Sequence, residues 1–123
     1  MKEWEKGITL GVAETLNENR GLSTSKAYGK LKRTGLDTIT PISKVRQIAK
    51  RFSRKYRIPI ILDISEKHFK EHPEADALHH WEGGKSTIYL HPILQYYTPR
   101  YIEGVIEHEI DHARVEEKWE EKL

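Results

Sequence analysis

From Pro41 onward, apolar and polar positions alternate with a period that changes twice. Ile42, Val45, Ile48, Ala49, Phe52 and Tyr56 recur three or four residues apart, with Lys, Arg, Ser and Gln between them. That spacing predicts an amphipathic helix whose outer face is basic. Arg57 then precedes the run Ile58-Pro59-Ile60-Ile61-Leu62-Asp63-Ile64. It has strand length and β-branched content, and its Pro59 suits a strand start or an edge. SEKHFKEHPE is polar and is expected to form at most one helical turn, closed by His72-Pro73.

ADALHHWEGGKSTIYLHP reads as a hairpin: Ala75 to Glu82, a Gly83-Gly84 turn, and a return strand from Ser86 to His91. Ile88 and Leu90 share one face of that strand, and Pro92 ends it. After the link ILQYYTP, Thr98 can cap a helix with Pro99 in its first position, and this helix is expected to reach about Trp119.

The first forty residues carry weaker signals. ITLGVAETLNEN suits a short helix ending near Asn19-Arg20-Gly21, and STSKAYGKLKRTG a second one, capped by Ser23 or Ser25 and stopped by Gly35. Two short helices about a Gly turn also resemble half of a helix-turn-helix. The order of elements predicts an α+β domain with a small, mostly antiparallel sheet packed on helices. At 123 residues and 14.4 kDa, the chain suits one domain, with residues 1–40 as a helical extension and 41–123 as the core.

Composition narrows the chemistry. Without cysteine, any metal site must be built from His, Asp and Glu. No apolar run reaches membrane-spanning length, and the opening MKEWEKGITLGVAE mixes acids with bases, so a soluble, cytoplasmic protein is expected. Charged residues make up 33% of the chain, which together with a single Met leans toward a heat-adapted source.

A net charge of +2 conceals an asymmetry. Residues 26–57 carry eleven Lys or Arg against Asp37 alone, whereas residues 103–123 carry eight acids against Arg114, Lys118 and Lys122. The basic block offers a route to nucleic acid, although no groove-reading or aromatic-interleaved motif accompanies it.

The last predicted helix carries the sharpest signal. On a helix turning roughly 100° per residue, one arc collects Val115, His108, Tyr101, Trp119, His112, Val105, Glu116, Glu109, Ile102, Ala113 and Ile106. Glu103, Arg114, Glu107, Lys118 and Asp111 fall on the other arc. This assignment puts four ionisable groups inside. An unpaired buried polar group costs about 2–7 kcal/mol, so something must compensate, and a divalent cation does so. His108 and His112, one turn apart, can offer two imidazole nitrogens to Zn2+, while the adjacent Glu109 can reach an activated water as general base. The pattern is H-E-x-x-H.

His108-Glu109-Ile110-Asp111-His112, preceded by Ser86-Thr87-Ile88-Tyr89-Leu90, resembles the minimal core of the zincin metallopeptidases, either gluzincin-like or SprT-like. The resemblance covers residues 42–117. It implies a helix backing a sheet, an antiparallel edge strand at the upper rim of a cleft, zinc held by His108 and His112, and Glu109 as general base. The pentapeptide also matches the H-E-x-D-H of peptide deformylases, whose cysteine ligand has no counterpart here.

The third ligand departs from the family patterns. Lys118 stands where metzincins and SprT-like proteases place a third His, and only eleven residues follow His112, too few for the later helix that supplies a gluzincin Glu. Glu116, one turn beyond His112, is the first choice, with His91, His79, His80 and Glu117 as rivals. Tyr89, Tyr96, Tyr97 and His80 are candidates to steady an oxyanion. The expected activity is hydrolysis of a peptide or protein substrate bound along the rim strand, in an active or a latent enzyme. The alternative is a basic nucleic-acid-binding module with a structural or absent metal.

Overall fold

The computed structural model describes residues 23–122, with side chains through Val115. The helix expected over 8–19 lies outside the described residues. Helix α1 spans Thr24–Thr34. Its N-cap is Ser23, whose hydroxyl accepts from the Lys26 N–H, and it stops at Gly35 in the left-handed conformation, φ 74°. Helix α2 spans Ile42–Tyr56 and buries Val45, Ile48, Ala49 and Phe52. Both helices follow the expected boundaries.

Three strands follow: β1 (Ile60–Leu62), β2 (Ala77–Glu82) and β3 (Lys85–Leu90). The hairpin forms as expected, with Gly83 and Gly84 both at positive φ (60° and 78°), the geometry a two-residue turn between twisted strands requires. The sheet is mixed: β3 lies in the centre, antiparallel to β2 over six residue pairs and parallel to β1 over three. Leu90 has Ala77 beside it on one side and Leu62 on the other.

That topology follows from the link of residues 63–76. It crosses over the C-terminal end of β3, where Asp63 N–H donates to Leu90 O and His91 N–H donates to Asp76 O. The chain thus skips one position before running down β2, leaving room for β3 to return between its neighbours. The strand expected as an exposed rim at 86–90 is therefore central, and β1 and β2 are the outer strands among the described residues.

Alternation sorts the two faces of the sheet. Ile60, Leu62, Ile88, Leu90 and Ala77 face a single hydrophobic cluster shared with α1, α2 and the last helix. Ile61, Tyr89, Leu78, Thr87 and His80 lie on the opposite rows, and Ile61 is 47% exposed.

The link after β3 is more ordered than its composition suggested. Pro92–Tyr96 form a 3-10 helix buried along its whole length. Gln95 O accepts from the N–H groups of Ile39 and Thr40, and the Thr40 hydroxyl donates to Tyr97 O, so this buried turn ties the α1–α2 loop to the core.

Helix α3 runs from Pro99 to Lys122, one turn beyond the expected end. Thr98 Oγ1 accepts from Tyr101 N–H at its start. Its buried face is Ile102, Ile106, Ile110 and Ala113, each at most 2% exposed. Relative to the arc expected from sequence, the helix is turned so that Ile110 goes in and Val115 comes out, 54% exposed. Burying a large aliphatic side chain is worth about 1.5–3 kcal/mol, whereas an imidazole keeps its hydration only outside. No helix among the described residues is long and apolar enough to cross a membrane.

Candidate metal centre

The rotation of α3 decides where the candidate ligands lie. His108 and His112 are on the exposed flank of the helix, not inside as the sequence suggested, and Glu109 sits between that flank and the buried stripe. The His112 side chain is 55% exposed and that of Glu109 only 12%. One helical turn brings the two imidazole rings to 4.3 Å between centroids, inclined at 62°. Glu109 Oε2 lies 3.7 Å from His112 Nδ1.

One ligating atom from each of the three residues falls within 4.8 Å of the others, the one such group among the described residues. Tetrahedral zinc holds two nitrogen ligands at 2.0–2.1 Å about 3.3 Å apart, so modest rotation of the His108 and His112 side chains would bring both onto one ion, with the Glu109 carboxylate beside it. Two imidazoles on one side suit a borderline cation such as zinc. Burial pushes the Glu109 carboxyl up, partly offset by His112 and His108. A carboxylate raised from its usual range is a better proton acceptor than an exposed one.

The remaining candidates are engaged elsewhere. His91 is fully buried. Its Nδ1 accepts the Ile93 N–H at 3.0 Å, so that nitrogen carries the lone pair and Nε2 carries the proton. Nε2 then donates to Glu66 Oε1 at 2.9 Å, and both ring nitrogens are used. His79 lies on the core-facing row of β2 and bonds to Ser86 Oγ at 2.8 Å. His80 points the opposite way and meets Glu82 Oε2 at 3.1 Å. None of the three joins the His108 group. The side chains of Glu116 and Glu117 lie outside the described residues.

The tyrosines proposed for an oxyanion fare no better. Tyr96 and Tyr97 are buried in the core, and burial drives both hydroxyls above the usual range. Tyr89 stands on the sheet face away from the core and stacks on His68, with centroids 3.7 Å apart.

A polar cluster at the C-terminal ends of β1 and β3 escaped the sequence reading. Asp63 Oδ2 accepts from both the backbone N–H and Nδ1 of His68, at 2.9 Å each, and Oδ1 accepts from the Ser65 hydroxyl. Asp76 accepts from the hydroxyls of Thr24 and Tyr101, joining α1, β2 and α3. Burial raises the Asp76 carboxyl despite those two bonds. An Asp followed two residues later by Ser was the available signal, since short polar side chains organise such turns locally.

No family model, curated protein or solved structure matches this chain.

Proposed function

We propose that this protein is a zinc-dependent metallopeptidase or peptidase-like hydrolase. The observation that carries the reading is the convergence of His108, Glu109 and His112 ligating atoms within 4.8 Å on one helix, with the carboxylate shielded and the imidazoles open. Structural zinc sites are closed by four protein ligands, whereas catalytic ones keep a position for water or substrate. Exposure of the two imidazoles suits the second kind.

His108 and His112 would hold the ion, with a third ligand from outside the described side chains; Glu116 remains the first choice. A bound zinc would supply Lewis acidity at a substrate carbonyl and at water. Glu109 would accept a proton from that water and return it to the leaving amine. Its partial burial keeps the carboxylate poorly solvated and therefore basic. The order α2, β1, β2, β3, α3, with β2 the outer antiparallel strand among the described residues, supports the zincin-like reading.

Glu109→Gln tests the assignment. Zinc affinity should persist while peptide hydrolysis falls by about 100-fold or more. A purely structural metal predicts no activity to lose in either protein.

A further inference from the structure

The outward face of α2 has no role in the reading above, and its composition is one-sided. The helix sequence ISKVRQIAKRFSRKY holds six Lys or Arg and no acid. Lys44, Gln47, Lys50, Arg51, Arg54 and Lys55 are all exposed and fall on one stripe, opposite Val45, Ile48, Ala49 and Phe52. Gln47, Lys50, Arg51, Arg54 and Lys55 line a shared shallow depression.

The stripe is poorly neutralised. Arg51 meets Glu103 at 2.7 Å, but Lys44, Lys50, Arg54 and Lys55 have no carboxylate partner among the described residues. Arg46 and Lys50, Lys50 and Arg54, and Arg51 and Lys55 are each four residues apart, where like charges repel. Lys44 and Arg46 also lie in the half of the helix where its dipole disfavours cations. A polyanion laid along this face would relieve all of these repulsions together.

We infer that the outward face of α2 binds the phosphate backbone of duplex nucleic acid without regard to sequence. From Lys44 to Lys55 the helix rises about 16 Å. Over that length a duplex presents about ten phosphate charges. An anionic membrane is the poorer match, because the apolar face a lipid surface would take up is already spent in the core: Val45 is 0% and Ile48 2% exposed. Single strands are disfavoured for a different reason, since they are held largely by stacking on aromatic faces. Tyr56 is stacked on Phe52 at 6.1 Å and flanked by Lys55 and Arg114 at 5.2 and 4.9 Å, so its ring already has partners. What the stripe offers is charge alone, which is the requirement for backbone contact.

The test is fluorescence anisotropy with a labelled mixed-sequence DNA duplex of about 20 base pairs, in EDTA, between 50 and 200 mM KCl. Four to five phosphate contacts give a log–log salt slope of about −4. The variant Lys50→Gln/Arg54→Gln should bind at least tenfold more weakly at the low-salt end, with the slope shallower by about 2. Lys44→Gln should show a smaller loss, and Lys85→Gln, beside the hairpin turn, none. Far-UV circular dichroism, expected to be unchanged at these exposed positions, checks that each variant is folded. Binding by the double variant equal to that of the parent would overturn the inference. So would failure of the parent to bind duplex while it binds single strands or phosphatidylserine vesicles.

Discussion

His91 Nε2 and Glu66 Oε1 lie 2.9 Å apart beneath the crossing of the 63–76 link, with the His91 side chain wholly buried. Burial holds the imidazole below its usual pKa of 6.5, even though Glu66, Asp76 and Asp63 pull it back up. A neutral native histidine that charges on unfolding contributes stability that is complete above pH 6.5 and lost as pH falls toward the lower native value. Thermal melts should therefore show Tm falling from pH 7 to pH 5. His91→Asn can keep the acceptor for the Ile93 N–H, so it should flatten that slope while costing about 1–3 kcal/mol at pH 7 through lost packing and the orphaned Glu66.

Asp63 gives a second, separate acid window. Burial pushes its carboxyl up, but the His68 N–H, the Ser65 hydroxyl and the His68 ring together outweigh burial and hold it below the usual 3.8. Its stabilisation is present above that value and disappears as pH falls through the lower native one. In urea titrations at pH 2 to 7, Asp63→Asn should lose this carboxylate dependence, while the decline below pH 6.5 persists and extends slightly lower, since one carboxylate that raises His91 is gone.

The rotation of α3 is tested by two substitutions on the same helix. Ile110 is 2% exposed and Val115 54%. Ile110→Ala should cost about 2–5 kcal/mol in chemical denaturation. Val115→Ala should stay within about 0.5 kcal/mol. A larger loss at Val115 than at Ile110 would mean that the helix faces the core as the sequence alone suggested.

Punctuation by single residues was legible in the sequence: Ser23 and Gly35 around α1, the Gly83-Gly84 turn, and Thr98-Pro99 at the start of α3. Each acts through its own backbone or that of a close neighbour, so local chemistry suffices. The direction in which α3 faces was not legible, because Tyr101, Val105 and Val115 beside the histidines compete with Ile102, Ile106 and Ile110 for the inside. Only the shape of the sheet and of α2 breaks that tie. The mixed sheet was equally hidden, since pairing Leu62 with Leu90 depends on a crossing fixed by contacts between distant residues.

For the candidate metal centre, the pentapeptide named the three residues that come together but misjudged their surroundings. His91 looked like a ligand because it ends a strand, yet it caps the 3-10 helix that follows and meets Glu66 twenty-five residues earlier. Ser, Thr, Asp and Asn are the residues sequence reading looks for at a cap, and a histidine in that role leaves no local signature.

Calorimetric titration of the metal-free protein with Zn2+ bears most directly on the central claim. One ion should bind per chain, and His108→Ala or His112→Ala should each weaken binding by about 100-fold or more, beyond the 10–100-fold expected for a residue that merely supports a ligand. Glu109→Gln should leave the affinity nearly unchanged. Absence of zinc binding, or binding that survives both histidine substitutions, would contradict the account.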